Sequence, residues 1–156
     1  MRITLRAHGR MARGPERELL DDYLRRAGAL ARGTGFRDVV ESEIDTKGRA
    51  DRATQTRALL DGVPSGAKVV LMDERGKPLS SIALAATLAR WRDGGVRELW
   101  IVVGPADGFA PDALPAGAER WAFGAQTWPH KLLRAMLAEQ LFRALSILAG
   151  TPYHRE

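Results

Sequence analysis

Two short runs with almost no polar residue constrain this chain more than anything else in it: Val69-Val70-Leu71-Met72 and Leu99-Trp100-Ile101-Val102-Val103. A strand covered on one face alternates apolar with polar residues. A run without that alternation needs cover on both faces, as in a parallel sheet whose crossover helices pack above and below it. Between the two runs, residues 73–78 read as a turn. Ser80 or Ser81 then caps a helix carrying Ile82, Leu84, Ala85, Leu88 and Trp91, and Gly94-Gly95 stops it.

The remaining segments fit the same plan. Residues 2–7 alternate and read as a strand. Pro15-Glu16 open a helix in which Leu19, Leu20, Tyr23, Leu24, Ala27 and Leu30 recur at helical spacing. Residues 36–44 read as a second strand, and residues 46–52 as a polar, basic loop before a short helix with Leu59 and Leu60. A Gly/Ala/Pro-rich loop runs to about Gly117, residues 119–123 form a short strand, and residues 130–150 form the longest helix, ended by Gly150 and Pro152. Strands alternating with helices predict an α/β domain with a mostly parallel sheet. At 156 residues, without an internal repeat or linker, the expectation is one domain.

Composition narrows the chemistry. The absence of cysteine rules out disulfides, thiolate metal sites and a cysteine nucleophile, and suits a reducing cytoplasm. The charged start is too short for a signal-peptide core, and no apolar stretch approaches a membrane span. A formal net charge of +5 favours contact with a polyanion, although arginine-rich composition alone has the same effect.

Two loops stand where an α/β sheet binds ligands. Val103-Gly104-Pro105-Ala106-Asp107-Gly108-Phe109 follows a buried strand, and Gly124-Ala125-Gln126-Thr127-Trp128-Pro129-His130 precedes the long helix. Neither matches G-x-G-x-x-G, and no P-loop occurs, which disfavours a nicotinamide enzyme or an NTPase. Ordinary turns are the plainer account of both loops, packing the plainer account of Trp128, and a helix-start residue the plainer account of His130. In the long helix Leu133, Leu137, Leu141, Ala144, Leu145 and Leu148 share one face, and Arg134 alone intrudes. Glu139 and Arg143 lie one turn apart. They are either a solvated pair or, at a subunit seam beside a ligand, part of a site. The basic residues Lys47 and Arg49 hold RNA backbone or are merely solvated, and the tail Tyr153-His154-Arg155 is either frayed or functional.

In order and spacing, several segments together resemble the ribosomal RNA large subunit methyltransferase H family of the SPOUT superfamily. They are Val102-Val103-Gly104-Pro105-x-x-Gly108, Thr127-Trp128-Pro129-His130-x-Leu132-Leu133-Arg134, Ala138-Glu139-Gln140-Leu141-Phe142-Arg143-Ala144 and Pro152-Tyr153-His154-Arg155. The Gly76-Lys77-Pro78 turn and the Leu88-x-x-Trp91 helix agree. The resemblance implies a SPOUT α/β knot: a mostly parallel sheet flanked by helices, its C-terminal part threaded as a trefoil knot, a topology that periodicity cannot reveal. It also implies a homodimer binding S-adenosylmethionine, without a metal, and methylating N3 of a pseudouridine in 23S rRNA of the assembled ribosome. By position, Met72, Asp73, Gly104 and the segment Phe123, Gly124, Ala125, Gln126, Thr127, Trp128, Pro129 would hold the cofactor. The sequence departs from the family at Val103, where a glycine is common, and in the slightly longer loop 106–108.

On this resemblance, His154 assists removal of the N3 proton, Arg143 and Arg155 stabilise the anion or hold phosphate, Tyr153 stacks on or positions the base, and Glu139 orients the group. Arg155, His130, Lys47 and Arg49 are the candidate RNA contacts. Two rivals remain: a non-catalytic ribosome-binding factor of the same fold, which S-adenosylmethionine binding would exclude, and a methyltransferase with another RNA target, which mapping the modified nucleotide would reveal.

Overall fold

A computed structural model describes residues 1–45 and 51–155. Five parallel strands form one sheet: β1 (Arg2–His8), β2 (Asp38–Ile44), β3 (Lys68–Pro78), β4 (Glu98–Val103) and β5 (Glu119–Ala122), in the order β2-β1-β4-β3-β5. Four helices accompany them: α1 (Pro15–Ala31), α2 (Arg52–Leu60), α3 (Ser81–Asp93) and α4 (His130–Leu148). Ser80 caps α3, its hydroxyl accepting from the Ala83 N–H, and Asp51 caps α2 through the Thr54 N–H.

Strand periodicity sorts the core onto two faces. Ile3, Leu5 and Ala7 of β1, Val70 and Met72 of β3, and Leu99, Ile101 and Val103 of β4 enter one cluster with the apolar stripes of α1, α3 and α4. Val69 and Leu71 of β3 and Val102 of β4 point the other way, onto Leu59 of α2 and Phe109. The unalternating runs are therefore buried on both sides, as their composition demands.

Residues 73–78 are not a free turn. β3 continues through them, bends between Met72 and Lys77, and pairs with β5 on both sides of the bend, Met72 and Lys77 each meeting Trp121. Tertiary pairing overrides the turn-forming composition. Gly76 lies so close to β5 that a Cβ there would stand 2.5 Å from the Trp121 carbonyl carbon. Only glycine permits that approach.

Neighbouring strands β3 and β4 leave the sheet on opposite faces. The chain after β3 runs to α3, and the chain after β4 packs Phe109 beside α2. Such a switch point opens a crevice at the carboxyl ends of the two strands.

The intruder on the apolar face of α4 fixes the helix to the sheet. Arg134 is 1% exposed. Its guanidinium donates to Glu41 and Glu43 of β2, and its Nη1 to the Gly9 carbonyl at 3.2 Å. Arg17 of α1 donates to the other Glu41 oxygen at 2.7 Å, and Glu43 accepts the Met11 N–H at 2.8 Å. Burial pushes the Glu43 carboxyl up, but the hydrogen bonds from Arg134 and Met11 hold it below its ordinary value. An Arg134→Met substitution leaves two carboxylates facing an apolar side chain, and stability is expected to fall by about 3–5 kcal/mol, read from chemical denaturation. Adding Glu41→Gln and Glu43→Gln to that variant should restore part of the loss. A neutral Arg134→Met would show that the network is dispensable.

Candidate functional site

A cleft of about 650 Å³ opens at the switch point. Its walls come from three stretches far apart in sequence: Met72 to Arg75 at the bend of β3, the loop from Val103 to Phe109, and the segment from Arg120 into the first turn of α4. Of the residues expected there, Met72, Asp73, Gly104, Phe123, Gly124, Gln126, Thr127, Trp128 and Pro129 line it, and Ala125 is exposed outside the lining set. Reading the sequence did not find Glu74, Arg75, Arg120 or Leu133. Their only sequence signal was adjacency to a predicted segment, which says nothing about direction.

Hydrogen bonds tie the walls together. Asp73, 17% exposed, accepts from the Arg75 N–H at 3.0 Å and from Arg120 Nη1 at 3.2 Å. The Thr127 hydroxyl donates to Glu74 at 3.1 Å across the mouth, and the Trp128 indole donates to the Phe123 carbonyl at 2.9 Å. The backbone amides of Gly124, Ala125, Gln126 and Thr127 donate to no other backbone group among the described residues, so they remain for a ligand.

Gly104 lines the cleft and is also constrained by packing. Its open side holds the Phe109 ring, whose Cζ would lie 2.7 Å from an added Cβ. The glycine lets Phe109 roof the loop and close the α2-side core. Val103, the departure from the family pattern, is 1% exposed and packs into the main cluster.

His130 faces inward. It lines the cleft, its ring lies edge-on 6.2 Å from His8, and its Nε2 is buried without a partner. His130 is thus part of the cleft wall. Lys47 and Arg49 lie outside the described residues.

The tail residues gather elsewhere. Glu139 of α4 accepts from Arg143 Nε at 2.9 Å and from the Tyr153 hydroxyl at 3.0 Å. Tyr153 packs on Phe142 with ring centroids 4.5 Å apart, and the guanidinium groups of Arg143 and Arg26 lie 4.8 and 5.1 Å from its ring. Burial, and then the bonds to Tyr23 and Glu139, raise the Tyr153 pKa, so the phenol stays a neutral donor. Phe142, Arg143 and Arg26 thus surround the Tyr153 ring, and Glu139 holds its hydroxyl. His154, its Nδ1 buried without a partner, lines a second hollow of about 700 Å³ with Leu19, Tyr23, Ile82, Leu132 and Met136. Leu19 and Ile82 are 47% and 48% exposed there. Arg155 is exposed at the surface.

The half-buried imidazole of His130 makes stability depend on pH. Burial, then the charges of Arg134 and His8, hold its pKa below the ordinary 6.5, against a smaller opposing effect of the Gly104 carbonyl. Below that pH the unfolded chain takes up a proton that the folded chain resists. Stability from this group is therefore full above about pH 6.5 and declines as pH falls below it. Thermal unfolding across about pH 5.5–7.5 should show a shallower dependence in His130→Gln than in the wild type. Equal slopes would remove His130 as the responsible group.

Comparison with known proteins agrees with this architecture. The profile of the family described as predicted SPOUT methyltransferase matches residues 1–154. The ribosomal RNA large subunit methyltransferase H of Hyphomonas neptunium is 52% identical over 155 residues, with 99% of each chain covered. Proteins of the same name are 50% identical over 156 residues in Maricaulis maris and 49% over 158 residues in Phenylobacterium zucineum, each with 100% of both chains covered. An all-parallel sheet with a cleft at its switch point, matched along nearly its whole length by one family, settles the classification: the chain belongs to the SPOUT methyltransferases.

Proposed function

We propose that the protein is an S-adenosylmethionine-dependent methyltransferase that works as a homodimer on N3 of a pseudouridine in the 23S rRNA of the large ribosomal subunit, in the cytoplasm. The observation that carries this reading is the convergence of residues 72–75, 103–109 and 120–130 on one cleft. The names borne by relatives at half identity point to the same substrate class.

The donor set fits the cofactor. Asp73 and Glu74 offer carboxylates to a cationic ligand, the free amides of residues 124–127 offer an edge to a heterocycle, and Met72, Val103, Leu133 and Trp128 offer apolar surface. When bound, S-adenosylmethionine supplies a methyl group already activated by positively charged sulfur. The chain itself must align the accepting nitrogen, a contribution on the order of 7–11 kcal/mol in the best cases, and take up the imide proton.

His154 is our candidate for that proton. Arg143 and Arg155 would stabilise the resulting anion or hold phosphate, with Glu139 and Tyr153 fixing Arg143. Within one chain, however, Glu139 and His154 line the apolar hollow and not the cleft. A second copy seated on that hollow covers Leu19 and Ile82 and lets the tail of one subunit meet the cleft of the other. The same reading makes the crossing of β5 through the bend of β3 at Gly76 the threading point of a knot, supported by the backbone contact there.

Calorimetric titration with S-adenosylmethionine tests the cofactor. Gly104→Ala forces the Phe109 ring aside at a strain of about 1–3 kcal/mol, so affinity should fall roughly ten- to hundredfold. If the wild type shows neither binding nor methyl transfer even with ribosomes present, a non-catalytic ribosome-binding factor becomes the better reading. Ile82→Glu tests the seam: sedimentation should show monomers, with methyl transfer lost. A dimeric, active variant would place the seam elsewhere.

A further inference from the structure

We propose that the loop joining β1 to α1, residues 9–14, is a clamp for RNA phosphates at the rim of the cleft, with Arg10 and Arg13 as its contacts. The inference rests on the RNA-methylating reading above and assigns part of the substrate surface within it.

The loop is built to hold its position. Met11 is 7% exposed, its side chain lying in the main core, while its N–H donates to Glu43 at 2.8 Å. The Gly9 N–H donates to the Ile44 carbonyl at 2.8 Å, and the Gly9 carbonyl accepts from Arg134. Arg10 and Arg13, on either side of Met11, are exposed. Among the described residues neither meets a carboxylate.

The charge beneath them is already matched. Arg17 and Arg134 consume Glu41 and Glu43, and Arg17 also pairs with Asp21. Arg10 and Arg13 are thus two excess positive charges on an anchored backbone. The loop leaves the carboxyl end of β1, where Ala7 pairs with Val103 of the cleft, and the His8 ring lies edge-on to His130 of the cleft wall, so the loop and the cleft share one edge of the sheet.

A guanidinium binds phosphate oxygens in a bidentate fork, and a pre-fixed backbone lowers the ordering cost of that contact. Met11, the large apolar residue of the loop, is turned into the core, and exposed Ala12 is too small a wedge for a lipid surface. Phosphodiester is the ligand these features fit.

The experiment compares binding of purified large ribosomal subunits by the full-length wild type, Arg10→Gln/Arg13→Gln, and the charge-matched control Arg37→Gln/Arg97→Gln. Arg37 and Arg97 are exposed just before β2 and β4, at the opposite edge of the sheet. Affinity is measured over a series of salt concentrations, with circular dichroism and S-adenosylmethionine titration as checks on the fold. Losing two phosphate contacts should reduce the slope of log K against log salt by about 1.4–1.8 in the loop variant and leave it unchanged in the control. Equal slopes for wild type and loop variant would overturn the proposal while leaving the methyltransferase reading intact. Equal losses in both double variants would reduce it to a general charge effect. A wild type that does not bind subunits at all would overturn both readings.

Discussion

The guanidinium of Arg134 is the interaction on which the rest depends. An arginine 1% exposed would be untenable among leucines without full pairing, and here two carboxylates and a carbonyl receive it. Because the partners sit on β2 and on the loop after β1, one side chain fixes where α4 begins relative to the carboxyl edge of the sheet. His130 and the segment before it, which form a wall of the cleft, are positioned by that docking. The same carboxylates hold Arg17 of α1, so both long helices on this face take their register from β2. An apolar contact of equal area would stabilise the packing but would let the helix slide along its axis. Directional bonds to fixed oxygens do not.

This docking divides the protein into two working surfaces. The carboxyl edge of the sheet carries the cleft, with carboxylates and free amides suited to a small cationic ligand. The face made by α1, α3 and α4 carries an apolar hollow bordered by the tail cluster. Phe123 borders both, which places the hollow one residue layer from the cleft. Glu139 and His154 border the hollow and not the cleft, so within one chain the tail cluster and the cleft stand apart. The unpartnered Nδ1 of His154 in the hollow is consistent with a group completed by something outside its own chain.

Much of this was legible in the sequence because the responsible signals are local. The runs at Val69 and Leu99 required cover on both faces, and the caps and glycines marked the helix ends. The loops at 103–109 and 124–130 stood out by their place after a strand and before a helix, while Met72 and Asp73 came only from the family resemblance. What was not legible depends on partners distant in the chain. The polar residues 73–78 read as a turn until β5 pairs with Lys77 and Pro78. Nothing near Gly104 in the sequence shows that the Phe109 ring will take the side a Cβ would occupy. That the His130 ring would meet His8 across the cleft wall had no local sign. Arg134 was visible only as an exception to a stripe, since nothing local indicates that Glu41 and Glu43 will face it.

The misread positions share a physical cause that bears on function. Each is a place where backbone or charge is brought closer to a neighbour than its own sequence would favour: Gly76 on Trp121, Gly104 under Phe109, Arg134 among leucines. Local conflicts of this kind persist in a fold when the surrounding structure over-determines them, and they concentrate where geometry must be held for a ligand. Gly104 lines the cleft, Gly76 follows the lining residue Arg75, and Arg134 docks the helix whose first turn completes the wall. A reaction whose electrophile arrives already activated asks little of the protein beyond alignment. Tight, individually unfavourable packing at three points around one cavity is the means by which a small sheet can provide that alignment without a larger scaffold.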